Sequence, residues 1–146
     1  MTEWSAVTAD AARRLRRNGF IGGTVALLIL AIAPPTAGAY GFAAPLAWWL
    51  LLAFCLLPLA LSVHLLFDAA LFRLAGSHED EAVGLAAIDD ALARMGLRAR
   101  DGTPAPLALR LAGCRRILWL QRISLAIAVA LYAILLIDAM DGACLC

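Results

Sequence analysis

Three long apolar runs, each bounded by charge or turn residues, set the pattern of this chain. The first follows "ARRLRRN" and reads "GFIGGTVALLILAIA" from Gly19 to Ala33, where Pro34 and Pro35 interrupt it. A helix crosses bilayer hydrocarbon in about 20 residues, so the run predicts a first span over 19–40. The second is predicted over 46–68, with Trp48 and Trp49 suited to the membrane–water interface and Asp68 at its far end. The third is predicted over 117–138, between Ile117 and Asp138.

The stretch 74–116 between the second and third spans has a different rhythm. Ser77 and Asp80 stand at capping-box spacing, with Asp in place of the usual Glu or Gln, and predict a helix from Glu79 to Met95 that Gly96 ends. Leu85, Ile88, Leu92 and Met95 recur at three- and four-residue spacing as a narrow apolar stripe. Asp90 and Arg94 are ordered for a surface ion pair. "RARDGTPAP" reads as a turn, with Asp101 and Gly102 at its centre. Pro106 then suits the first position of a helix that runs on into the third span. This helix carries Leu107, Leu111, Cys114 and Leu118 on one face. The two stripes are expected to pack on each other as a helical hairpin, or else to dip into the lipid interface. Residues 1–18 predict an N-terminal amphipathic segment, helical from Glu3 to Arg17 and lying on the inner surface. The expected fold is a single all-α integral membrane domain: three transmembrane helices and a short amphipathic cytoplasmic hairpin.

Composition agrees with that reading. The chain has 146 residues, 64% hydrophobic and 16% charged, whereas soluble domains run near a quarter charged. Three spans leave too little chain for a separate catalytic domain. The twelve basic residues are all Arg, and none lies in the 34–46 connection or after Arg122. Arg and Lys collect on cytoplasmic flanks, so the N-terminus and 74–116 are expected inside. The 34–46 loop and the 139–146 tail are then expected outside. Arg without Lys, with heavy Ala and Leu usage, suggests a GC-rich bacterial genome and hence a bacterial inner membrane. A cleaved leader over 1–39, with "AGA" at 37–39, is the weaker alternative, because its basic region starts late and two prolines precede the cut.

Residues 94–122 hold seven Arg against Asp101 alone, a segment expected near anionic headgroups. Residues 79–90 hold Glu79, Asp80, Glu81, Asp89 and Asp90 and read as a solvated face. The expected partners are the bilayer with its anionic headgroups and a membrane protein or further copies of the chain; no nucleic acid is expected.

Candidate chemistry centres on "SVHLLFD" at 62–68. His64 and Asp68 fall at the inner end of the second span, at the depth where the third brings in Gln121 and Arg122. Intramembrane charge tends to find a partner, so a polar cluster of His64, Asp68, Gln121 and Arg122 is expected, with Arg122 pairing Asp68 as an interhelical lock. The sharper alternative is a proton or metal relay, or haem ligation by His64. One His and one carboxylate fall short of the three or four protein ligands zinc normally takes. "HEDE" at 78–81 is better read as an acidic helix start. Cys55 sits mid-span and Cys114 on the inner side; Cys144 and Cys146 fall in the outer tail, where disulfides persist, and with His64 are the weak metal candidates. Gly22, Gly23 and Ala26 in the first span, and Ser124, Ala126, Ala128 and Ala130 in the third, are small enough for close helix packing. The outer halves of the spans carry no charge, which weighs against a pore.

The function expected is therefore a non-enzymatic accessory or scaffold subunit of a membrane complex, without cofactor and acting through helix contacts that include the stripe Leu85, Ile88, Leu92 and Met95. The alternatives are a metal- or redox-handling protein using His64 or Cys144 and Cys146, and a small oligomeric transporter.

Overall fold

A computed structural model describes residues 3–37, 44–97 and 106–143. The expected turn at 98–105, residues 38–43 of the 34–46 connection, and Cys144 and Cys146 lie outside them. The described residues form four helices and no strand: α1 (Glu3–Thr36), α2 (Ala44–Gly76), α3 (Glu81–Arg94) and α4 (Leu107–Ala143). The protein is all-α, and α1, α2 and α4 are each long and apolar enough to cross a membrane. The fold is compatible with a multi-pass membrane protein.

The helices outrun the apolar runs that predicted them. The expected surface helix and the first span are one uninterrupted helix, α1. The intervening arginines do not break it: Arg14 pairs with Asp10 at 2.7 Å, one turn back, and Asn18 Nδ2 donates to the Arg14 carbonyl at 2.8 Å. Pro34 and Pro35 fall in its last turn, where Thr36 Oγ1 donates to the Ile32 carbonyl at 2.6 Å.

Two end signals differ from expectation. Ser77 does not cap α3; its hydroxyl donates to the Leu74 carbonyl at 2.6 Å and so closes α2. Asp80 takes the cap position with extended backbone and no side-chain cap bond, and α3 starts at Glu81 rather than Glu79. Pro106 stands immediately before α4, its carbonyl accepting from the Leu109 and Arg110 amides. The stop at Gly96 holds. Its φ of 71° lets Leu97 N–H reach the Leu92 carbonyl at 2.9 Å and Gly96 N–H reach Ala93 at 3.1 Å. That pair of bonds satisfies the last carbonyls of α3, and the positive φ favours glycine.

The chain gathers into two compact units. The first combines residues 1–18 with 64–118, and the second combines 19–63 with 119–146. Charge follows the same division: Arg122, Asp138 and Asp141 are the only Arg, Asp or Glu in the second unit's sequence.

The first unit has two apolar centres. Ala12, Leu15, Leu65, Ala69, Phe72 and Cys114 form one, with Leu107, Leu111 and Leu118 packed against it. Ala75, Leu85 and Ile88 form the other, joined by Trp4, Leu71 and Leu92. The α3 and α4 stripes pack largely on α1 and α2, while Asp89 with Arg110, and a cavity lined by Ile88, Leu92, Gly113 and Cys114, bring α3 and α4 together. Two close approaches fix the arrangement. A Cβ on Gly84 would come 2.7 Å from the Ala75 carbonyl and 3.0 Å from Trp4, and one on Gly76 would come 2.7 Å from Thr8 Oγ1.

The second unit packs Ile29, Ala33, Leu51, Cys55, Ala128 and Leu135 at its centre. Large apolar side chains such as Phe20, Leu28, Trp49, Leu57, Ile134 and Ile137 face outward. An exposed surface of this kind is unfavourable in water and favourable in lipid.

Candidate functional site

Among the described residues the buried polar side chains are Thr8, Ser62, Gln121 and Ser124; Thr8 and Ser124 bond within their own helices, and Gln121 with Ser62 joins two. In the second unit, Gln121 on α4 is 3% exposed and donates from Nε2 to Ser62 Oγ on α2 at 2.7 Å. Ser62 Oγ in turn donates to the Pro58 carbonyl at 2.6 Å, so both of its roles are filled. Ser124 Oγ donates to the Gln121 carbonyl at 3.0 Å. This triad needs room, and glycine supplies it: Gly22 faces the Gln121 amide and Gly23 faces Ser62. Near the other end of the unit, the Thr36 and Tyr132 hydroxyls share a bond at 2.8 Å between α1 and α4.

The first unit carries two further interhelical pairs. Cys114 Sγ on α4 donates to Asp68 Oδ2 on α2 at 3.5 Å, from a thiol only 7% exposed. Arg110 on α4 donates to Asp89 Oδ1 on α3 at 2.5 Å, with both side chains mostly shielded from solvent. A cavity of about 210 Å3 lies against these pairs, lined by Asp68, Phe72, Ile88, Arg110 and Cys114 among others. The expected Asp90–Arg94 pair is present at 2.6 Å, but on the exposed surface.

The four residues expected to cluster are divided between the units. His64 and Asp68 belong to the first, Gln121 and Arg122 to the second. Asp68 takes the Cys114 thiol and Gln121 takes Ser62, while His64 and Arg122 lie on exposed faces of their helices. Among the described residues no three His, Cys, Asp or Glu side chains gather as a metal site would require.

Among the small residues, Gly22, Gly23, Ala26, Ser124 and Ala128 are buried, whereas Ala126 and Ala130 face outward. Along the α3 stripe Leu85 and Ile88 are buried, Leu92 is half-buried and Met95 is exposed. Ser62, Thr8, Tyr132, Asp89 with Arg110, and the thiol role of Cys114 escaped the sequence reading. Ser62 opens the very heptapeptide that drew attention to His64, and a hydroxyl in an apolar run was its one available signal.

These features define the class as an all-α protein with three membrane-length helices, of which α2 and α4 are joined by a buried polar pair. No known protein family, no curated protein and no solved structure matches the chain.

Proposed function

We propose that this chain is a non-enzymatic accessory or scaffold subunit of a bacterial inner-membrane complex, with its N-terminus and its first unit in the cytoplasm and its C-terminus outside. The observation that carries the reading is how the buried polar side chains are used. Gln121 with Ser62, Asp68 with Cys114, and Asp89 with Arg110 pair with one another across helices. Groups held in that way stiffen a scaffold, whereas a catalytic group needs a polar atom turned toward a substrate.

The orientation is supported by charge. Eleven of the twelve arginines lie in the first unit's sequence, and Arg and Lys favour the cytoplasmic face. The outward apolar side chains of the second unit suit lipid.

Extraction in a mild detergent tests the reading. The expected product is an assembly larger than one chain that contains a second membrane protein in fixed ratio. A clean monomer with no fixed-ratio companion would contradict it.

A further inference from the structure

We infer that the groove between the start of α1 and the start of α4, both in the first unit, is the docking site for an amphipathic helix of a partner protein, apolar on one face and flanked by Asp or Glu. The inference deepens the scaffold reading by giving the partner's chemistry, and it rests on that reading's topology.

The groove has a volume of about 430 Å3 and an apolar floor that includes Val7, Leu15, Leu111 and Leu118. Arg14 and Arg115 line it, with Asp10 the one acid beside them. Arg13 and Arg17 border the adjoining cleft, which Asp10 and Arg14 also line. Asp10 is already bound to Arg14. Arg115 at the groove, with Arg13 and Arg17 at the adjoining cleft, therefore carries this surface to an excess of three positive charges, all on exposed side chains.

Depth decides what can fill such a groove. Its α1 wall runs from Ala6 to Leu15, about 14 Å along the axis, and ends before the span predicted to start at Gly19. Val7 stands twelve residues before Gly19, about 18 Å along a helix standing across the bilayer. Headgroups add only about 5–8 Å on each face of the hydrocarbon. Acyl chains thus do not reach the far end of the floor, and apolar surface beyond the headgroups needs a protein cover. A helix needs about two and a half turns to span the groove's length, and laying an apolar face into a groove is an established recognition mode. Acidic flanks would meet the arginine rim and make association salt-dependent.

The test uses the full chain in neutral detergent and a labelled synthetic 15-residue helix with Leu on one face and Glu on both flanks, read by fluorescence anisotropy. Saturable binding is expected that weakens with salt, with a Lys-flanked twin at least tenfold weaker. Arg14→Ala with Arg115→Ala should weaken the Glu helix several-fold, and Val7→Asp, at an exposed position, should remove binding without unfolding the chain. Equal binding of both helices, no binding, or indifference to Val7→Asp would overturn the proposal. A lipid outcome is separable: an environment-sensitive dye at Val7 that reports hydrocarbon in phosphatidylglycerol nanodiscs would assign the groove to lipid and overturn it. Peptide binding in detergent does not depend on which way the chain faces, so failure of the orientation and failure of the groove are told apart.

Discussion

Gln121 occupies the space that a Cβ on Gly22 would need. Built on the backbone, that Cβ would lie 2.8 Å from the Gln121 Cδ and closer still to its amide nitrogen, the group that donates to Ser62. The absent side chain of one helix and the buried amide of another are therefore a single device.

Gly22→Ala is expected to push the amide off Ser62 and leave a buried polar group unpaired, at a cost of about 1–3 kcal/mol. Gly23→Ala should cost less, since its nearest neighbour, Ser62 Oγ, is 3.3 Å away. Gly113→Ala meets nothing within 4 Å and should gain up to about 1 kcal/mol of helix stability. Thermal unfolding of the three variants in one detergent checks the order, and a Gly22→Ala protein as stable as Gly113→Ala would refute the device.

Two ion pairs on α3 should differ sharply. Asp89 and Arg110 side chains are 20% and 14% exposed, whereas Asp90 and Arg94 are 53% and 73% exposed. Asp89→Ala removes an ion-pair partner from a shielded guanidinium and is expected to cost about 3 kcal/mol. Asp90→Ala should cost a few tenths of a kcal/mol. Hydrogen exchange across Glu81–Arg94 reports both, with α3 amides losing protection only in the first variant.

Cys114 and Cys55 are both buried, so neither should react with maleimide in the folded chain. Cys114→Ala removes the donor to Asp68 and leaves a cavity, and is expected to destabilise by about 1–2 kcal/mol. Cys114→Ser keeps a donor and should recover part of the loss. Equal unfolding temperatures for the Ala and Ser variants would show that the thiol's hydrogen bond contributes nothing.

Much of the architecture was legible because hydrophobicity is a local signal. Runs of apolar residues gave three membrane-length helices, and the 85/88 spacing gave the buried edge of α3. Gly96 marked the end of α3, and Asp90 with Arg94 could be paired because both belong to one helix turn. What was hidden is non-local. Gln121 finds Ser62 across 59 residues, Cys114 finds Asp68 across 46, and Arg110 finds Asp89 across 21. No spacing rule connects such positions.

Depth along a helix and direction around it are separate matters. Placing His64, Asp68, Gln121 and Arg122 at one level says nothing about which way each points. Rotation about the helix axis turned Gln121 inward and left Arg122, one residue on, at the surface. Ser77 shows the opposite failure, a correct helix-end residue assigned to the wrong helix.

The most direct test of the whole account is the side on which each end of the chain lies. A phosphatase active only outside the cytoplasm, fused after Cys146, is expected to be active, and the same enzyme fused ahead of Met1 silent. A silent C-terminal fusion, with a fluorescent protein bright at the same junction, would place both ends in the cytosol. That result would contradict three crossings with the arginines held on one face.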